Sequence, residues 1–524
     1  MSPLLQAPPE RAIDSTPILG AIERLASERR RGVTFVGARG RRVVPYADLV
    51  DRVRRVASAL RSRGLRPGDA VVVVLPDPEE AIAAILGAMA AGVAPAPIYP
   101  PTGLEAMPVF LRHLAHLLER SGARRVIAAA RLMPFLGAVP QPVDAFAALL
   151  DAAPGPFERP SADDTAFLQF TSGTTAAPRG VMVTHGNLAA NLGMIRAAAR
   201  MDDASKIVTW LPVYHDMGLV GAVLGAISTG IELSVMPPQT FLRAPGLWLE
   251  EISRVGGTHS AAPNFAYGLC VKRVPDVSGL DLSSMRVFIC GAEPILPATL
   301  ERFNAHFAPA GLHPGAVTPA YGLAEATLAV TFAPYLRGLR CDESRAPRVP
   351  SCGAAMPGLE VRVADGNGQE LGERRAGEVQ VRGPTVTPGY VRNPDETRAA
   401  RAPDGWLRTG DLGYLAGGEL YLLGRRKDVI IVRGRNLYAH DVEGVAGEHP
   451  DVRTGNVVAF GVPATDTEAL AVVVESRRPA DAARIAREVR GRLAEVFGVV
   501  PHDVRVVAPG TLPKTSSGKL KRGE

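Results

Sequence analysis

Residues 70–75 read Ala-Val-Val-Val-Val-Leu, an apolar run with no polar alternation. A strand of that kind cannot face water on either side, so it belongs in a sheet covered on both faces. The neighbouring pattern agrees. Leu49, Val53, Val56 and Leu60 recur at helical spacing, and Gly64 can end that helix. Residues 79–91 are again helical, and residues 93–98 are strand-like. Buried strands alternating with helices predict an α/β fold with a parallel sheet, and the alternation runs to about residue 330. From residue 358 to 421 the pattern changes. Residues 361–363, 378–381 and 419–422 are short strands between Gly/Pro turns, which predicts a small β-rich subdomain at about 355–424. A compact α+β segment follows. Residues 140–160, rich in Pro and Ala, are expected to be a surface connection.

A chain of 524 residues is too long for one domain and predicts about three packing units. No stretch reaches the ~20 apolar residues that cross a bilayer. The nearest, 217–231, is uncharged, short and rich in Gly and Ala, and reads as a buried helix. The N-terminus lacks a basic start followed by an apolar block, so no secretion signal is expected. Four cysteines, at 270, 290, 341 and 352, have no metal-ligand spacing and fit a reducing cytoplasm. The net charge of +6 is spread along the chain, and no basic-aromatic array for stacking bases exists. Nucleic acid is therefore not an expected partner, whereas anionic ligands or an acidic protein are. Of 59 basic residues only six are lysines: Lys206, Lys272, Lys427, Lys514, Lys519 and Lys521. A compact ammonium cannot be imitated by the planar guanidinium, so each surviving lysine invites a question.

Residues 167–170 form an apolar strand and 181–184 another. Between them lies Thr171-Ser172-Gly173-Thr174-Thr175-Ala176-Ala177-Pro178-Arg179-Gly180. Four hydroxyls and the glycines on one turn can converge donors on an anion. This is not a Walker loop, which ends Gly-Lys-Ser/Thr and enters a helix. On its own such a loop is also a plain hairpin tip.

The loop resembles the phosphate loop of the adenylate-forming superfamily: acyl-CoA synthetases, peptide-synthetase adenylation domains and luciferases. Ala176 and Arg179 stand where that family usually has Gly and Lys. Further family-like segments follow in order. They are Ala320-Tyr321-Gly322-Leu323-Ala324-Glu325, Thr409-Gly410-Asp411, Gly424-Arg425-Arg426-Lys427-Asp428 and Pro513-Lys514-Thr515-Ser516-Ser517-Gly518-Lys519. Within the superfamily the chain is most similar to fatty acyl-AMP ligases. The segments that carry this are 210–219 (WLPVYHDMGL), 263–267 (PNFAY), 291–295 (GAEPI) and 324–328 (AEATL).

The resemblance implies an N-terminal AMP-binding domain over 1–424, a hinge at 425–428 and a small mobile α+β C-terminal lid over 429–524. It implies that Thr171, Ser172, Gly173, Thr174, Thr175 and Ala176 cradle the phosphates of ATP. Gly291, Ala292, Glu293, Ala320, Gly322 and Ala324 form the adenine pocket, largely through backbone, and Tyr321 stacks on the base. Asp411 accepts from the ribose hydroxyls and Arg425 donates to them. Glu325, with Thr171, holds Mg²⁺, a hard cation that prefers oxygen ligands. His215 touches the carboxylate or α-phosphate, although a lone histidine is most often structural; no nucleophile elbow accompanies it. Lys519 stabilises charge that develops as a carboxylate attacks the α-phosphate. Lys427 is the hinge. The Gly- and Ala-rich run 218–230 leaves room for an acyl chain or permits close packing.

The expected reaction is fatty acid plus ATP giving acyl-AMP and pyrophosphate, then transfer to the phosphopantetheine thiol of a separate acyl carrier protein. Basic residues such as Arg433 and Arg435 offer steering for an acidic carrier. Acyl-AMP ligases carry an extra segment after the Glu motif that restrains the lid. Here it corresponds to residues 331–350, which hold three Pro, one Gly and four Arg and read as an ordered surface loop. The rivals are a fatty acyl-CoA synthetase and, disfavoured by the presence of Glu325, Asp411 and Lys519, an inactive adenylate-binding regulator.

Overall fold

The computed structural model describes residues 4–6, 17–37, 40–101, 107–171, 178–432, 435–463, 468–514 and 520. Among them the apolar run that starts at Ala70 forms the strand Ala70–Val74, buried along its whole length. It lies in a four-stranded parallel sheet ordered Ala94–Pro97, Ala70–Val74, Arg125–Ala128, Val143–Ala145. Helix Pro78–Ala90 follows, started by the Asp77 carboxylate, which accepts from the Glu79 and Glu80 amides. Helix Tyr46–Ser62 packs beside it through Val53, Val56 and Leu60. Gly87 permits that approach: a Cβ there would stand 2.4 Å from Val56 Cγ1.

A second, nine-stranded sheet carries the centre of the molecule. Its order is Ala354–Ala355, Ala329–Phe332, Val317–Gly322, Val287–Cys290, His259–Ala262, Lys206–Thr209, Glu232–Val235, Gly32–Gly37, Gly40–Pro45. The strands from Val317–Gly322 to Gly32–Gly37 run parallel, and antiparallel strands close both edges. The β-rich subdomain is an antiparallel sheet ordered Leu5–Gln6, Glu360–Ala364, Gly377–Arg382, Leu407–Ala416, Glu419–Arg425. After it come the hairpin Val429–Val432/Arg435–Tyr438 and a sheet of Val452–Pro463, Glu468–Ser476 and Asp503–Val507. Helices Ala439–Gly447 and Ala482–Phe497 cover them, and Val442, Val472, Val474, Ile485 and Leu493 form a core separate from the rest. The architecture is the α/β class expected, with a large N-terminal part and a small α+β C-terminal part.

Two local expectations change. Residues 140–160 are not only a connection: they supply the strand Val143–Ala145 and a 3₁₀ turn, Phe146–Leu149, with Phe146 and Leu149 buried. Arg63 and Arg125 satisfy the buried Asp144 carboxylate there, an arrangement that composition alone does not announce. Residues 217–231 are helical, but in two windings. Met217–Leu224 is π-helical, Gly225–Thr229 is α-helical, and Gly230 ends the helix at φ 71°. No described helix is long and apolar enough to cross a membrane.

Candidate active site

The parallel strands end on one side of the large sheet, and the segments that leave those ends form the walls of a cleft. Ligands of open α/β sheets bind at this edge. The cleft is about 2790 Å³ and extends between the large N-terminal part and the C-terminal part. Ligand pockets usually measure ~300–1,000 Å³, so the space exceeds a nucleotide's need.

Beyond Cys290 the chain turns through Gly291 and Ala292. A Cβ on Gly291 would stand 2.9 Å from the Ala320 carbonyl, and Ala292 adopts φ 66°. A left-handed conformation in a non-glycine residue costs ~1–3 kcal/mol and persists only where its surroundings impose it. Those surroundings are visible. The Glu293 carboxylate accepts from the Phe265 amide at 2.6 Å, and Asn264 Oδ1 accepts from the Leu296 amide at 3.0 Å. Glu293 therefore caps helix Asn264–Arg273 with its side chain and is more than a backbone contributor.

Strand Val317–Gly322 delivers Tyr321, which is 7% exposed. Its hydroxyl donates to Asp411 Oδ2 at 2.7 Å, and Arg425 Nε lies 3.5 Å from Asp411 Oδ1. Burial, then the Asp411 charge, pushes the Tyr321 phenol well above its ordinary pKa, so it stays a donor. Tyr321, Asp411 and Arg425 are thus one bonded group. Gly322 is required by contact: a Cβ would stand 1.7 Å from the Leu328 carbonyl. Ala320 and Ala324 line the same wall.

Glu325 follows on a 3₁₀ turn, and Thr327 at its end has φ 71° with its hydroxyl donated to the Thr385 carbonyl at 2.8 Å. The Glu325 Oε1 accepts from the Tyr390 hydroxyl at 2.8 Å. Tyr390 was not singled out in the sequence, where it shows only as the residue after a Pro-Gly turn. Arg179, in the position of a family lysine, forms an ion pair with Glu396 at 3.0 Å and sits 5.1 Å over the Tyr390 ring. Thr171 ends the first hairpin strand, paired with Arg179, and its hydroxyl donates to the Arg179 carbonyl at 3.5 Å. Ser172, Gly173, Thr174, Thr175 and Ala176 lie outside the described residues.

His215 precedes the π-helical turn. Its Nδ1 accepts from the Met217 amide at 3.3 Å and lies 2.7 Å from Asp216 Oδ1, and Nε2 has no partner among the described residues. Gly218 brings this helix start against the preceding loop, where a Cβ would meet the Pro212 carbonyl at 2.2 Å. The cleft lining also includes the apolar residues Ile195, Met201, Ile207, Ala222 and Leu328, which belong to or pack on one apolar cluster.

Lys427 lies on a 3₁₀ turn in the cleft wall. Desolvation, then Arg425, holds its ammonium below the usual pKa. Lys519 is outside the described residues. The described residues on either side of that stretch, Lys514 and Leu520, pair with each other and line the cleft. Burial lowers the Lys514 pKa, opposed by the charges of Glu475 and Glu293. Arg433 is also outside the described residues, and of Arg435 only the backbone is described.

The family profile described as AMP-binding enzyme matches residues 23–391, and that of the AMP-binding enzyme C-terminal domain matches 441–519. The chain belongs to the AMP-binding enzymes. It is 34% identical to a putative acyl-CoA synthetase of Caulobacter vibrioides, across 95% of this chain and 93% of that one. It is 34% identical to FadD23 of Mycobacterium tuberculosis, a long-chain-fatty-acid–AMP ligase, across 91% and 89%. A solved structure from studies of fatty acyl-adenylate ligases of E. coli and L. pneumophila superposes with a TM-score of 0.91 at 31% identity, covering 98% and 97%. This AMP-binding enzyme is therefore an acid-activating ligase of the adenylate-forming superfamily, and the resemblance to fatty acyl-AMP ligases stands.

Proposed function

We propose that this enzyme joins a fatty acid to the AMP moiety of ATP with release of pyrophosphate, then passes the acyl group to the phosphopantetheine thiol of a separate acyl carrier protein. One observation carries the reading. The cleft is lined both by the polar side chains of Tyr321, Glu325, Asp411 and Arg425 and by the apolar side chains of Ile195, Met201 and Ile207. A long acid whose carboxylate must meet a nucleotide needs both kinds of lining.

In this reading the carboxylate attacks the α-phosphate in line, with Lys519 and His215 Nε2 stabilising charge on the reacting oxygens. Residues 171–176 bind the phosphates, Gly291 to Glu293 and Ala320 to Ala324 bind the base, and Asp411 and Arg425 bind the ribose. Mg²⁺ bound with ATP takes one or two carboxylates plus phosphate oxygens. Glu325 offers one carboxylate in the cleft, and the described residues contain no group of three His, Cys, Asp or Glu able to hold a metal alone. Glu325 and Thr171 would be the protein ligands of a metal bound with the nucleotide, and its charge would stabilise the pyrophosphate leaving group. The working units are 1–424, a hinge at 425–428 and a lid at 429–524, and the place of action is the cytoplasm.

The second reading, transfer to free CoA, draws on relatives such as the Caulobacter protein, named a putative acyl-CoA synthetase. Mass spectrometry of products from a fatty-acid panel with ATP and Mg²⁺ tests the first half-reaction. Acyl-AMP from at least one fatty acid is expected. ATP consumption with no fatty acid in the panel would sink the substrate class.

A further inference from the structure

Tyr390 links two segments that the chemistry needs together. Its backbone pairs with Val181, the Met182 amide donates to Gly389 O at 2.9 Å, and the Val391 amide donates to Gly180 O at 2.8 Å. The segment therefore lies against the second strand of the phosphate hairpin, Arg179–Thr184. A few residues earlier, the Thr387 amide and hydroxyl both donate to the Glu325 carbonyl, at 3.0 and 3.1 Å. Tyr390 is itself 5% exposed, and its amide donates to Thr397 Oγ1 at 2.9 Å.

The hydroxyl's polarity is set by its neighbours. Arg179 Nη1 lies 3.4 Å from the Tyr390 oxygen, and a guanidinium can only donate. The phenol oxygen accepts from Arg179, so its proton points to Glu325 Oε1 at 2.8 Å. Glu396 holds Arg179 in place at 3.0 Å, and the Tyr390 ring supports the guanidinium from below. No other described side chain bonds to the Glu325 carboxylate.

We propose that Tyr390 is a positioning residue for the metal-binding carboxylate: its hydroxyl fixes Glu325 so that the other oxygen takes the Mg²⁺ of MgATP, and Arg179 acts through it. This rests on the reading of Glu325 as a metal ligand. It gives Arg179 a task other than direct phosphate binding. A partner behind a metal ligand commonly changes metal affinity or activity ~10–100-fold when removed.

The test is calorimetric binding of ATP at a series of Mg²⁺ concentrations, which needs no acid substrate. Wild type, Tyr390→Phe, Arg179→Met, the double variant and Glu325→Gln are compared. Tyr390→Phe keeps the ring under Arg179 and should raise the Mg²⁺ concentration for half-maximal ATP binding about tenfold. ATP binding without Mg²⁺ and thermal stability should stay at the wild-type level. The double variant should be no worse than Tyr390→Phe. An unshifted Mg²⁺ half-point in Tyr390→Phe, or equal loss of ATP binding with and without Mg²⁺, overturns the proposal. Multiplying shifts in the double variant overturn the relay through Arg179. If Glu325→Gln also leaves the half-point unshifted, the assignment of Glu325 falls; if it shifts alone, only the role of Tyr390 falls.

Discussion

Gly322 lets two parts of the cleft wall approach each other closely. A methyl group at that position would meet the Leu328 carbonyl at 1.7 Å, and neither partner is the end of a flexible side chain. The strand that carries Tyr321 and the turn that carries Glu325 must then separate. Overpacking of this kind costs about 1–3 kcal/mol, and a backbone clash lies at the upper end. Gly322→Ala is expected to lower the denaturant midpoint accordingly and to weaken ATP binding, read by calorimetry on the same samples. His185 gives a second prediction at this scale. It starts helix His185–Ala198, is 7% exposed, and burial pulls its pKa down to about 4 from 6.5. The unfolded chain then takes up a proton at a pH where the folded one does not. Its contribution is present above pH 6.5 and is lost as pH falls toward 4, by about 3 kcal/mol. Urea titrations of wild type and His185→Gln across that window check this. A variant with the same stability slope as wild type would refute it.

Elements separate what the sequence can specify from what it cannot. Local period was sufficient for Ala70–Val74, Pro78–Ala90 and Tyr46–Ser62, because one buried face or two buried faces leave a one-dimensional trace. The edge strand Leu5–Gln6 leaves none: it exists by pairing with Glu360–Ala364, far along the chain. Tyr390 was missed for the same reason, since its partners Arg179 and Glu325 lie 211 and 65 positions away. The π-helical winding at Met217–Leu224 leaves no separate periodic trace either, although the close approach of Gly218 to the Pro212 carbonyl at its start is local. The short 3₁₀ turn Arg426–Asp428, by contrast, joins the β-rich sheet directly to the C-terminal hairpin. If rotation between half-reactions occurs there, fixing its backbone must affect the halves unequally. Lys427→Pro should keep acyl-AMP formation and slow transfer to thiol several-fold, followed as pyrophosphate release and thiol loading. Lys519→Ala should do the reverse and reduce acyl-AMP formation ~10²–10³-fold. Equal losses of both half-reactions in Lys427→Pro, with the fold intact, count against the hinge.

At the scale of the whole molecule the open question is the acceptor, and residues 331–350 bear on it. Residues 331 and 332 end the buried strand Ala329–Phe332 instead of opening a surface loop, and the remainder includes a small antiparallel pair, Cys341–Asp342 with Val349–Pro350. Asp342 accepts from the Tyr414 hydroxyl and from Arg374 Nη1, each at 2.7 Å, and its carboxyl is held far below the usual range. Glu419 gathers Arg337, Arg340 and Ser351 at the other end. The segment is thereby fixed to the β-rich sheet, and Val349 joins Tyr414, Tyr421 and Leu423 in an apolar cluster. Tyr438, at the start of the first C-terminal helix, packs on that cluster. A rotation that carries Tyr438 away from the β-rich sheet must break this contact. A carrier protein can offset that cost with protein–protein contacts that free CoA cannot supply. Free CoA is therefore expected to be the poorer acceptor when it competes with holo-carriers at matched thiol concentration. Tyr438→Ala should raise the CoA rate relative to the carrier rate by relieving the restraint. Acyl-CoA production that equals or exceeds carrier loading in the wild-type enzyme would leave a fatty acyl-CoA synthetase, and an unchanged ratio in Tyr438→Ala would remove the contact from the explanation.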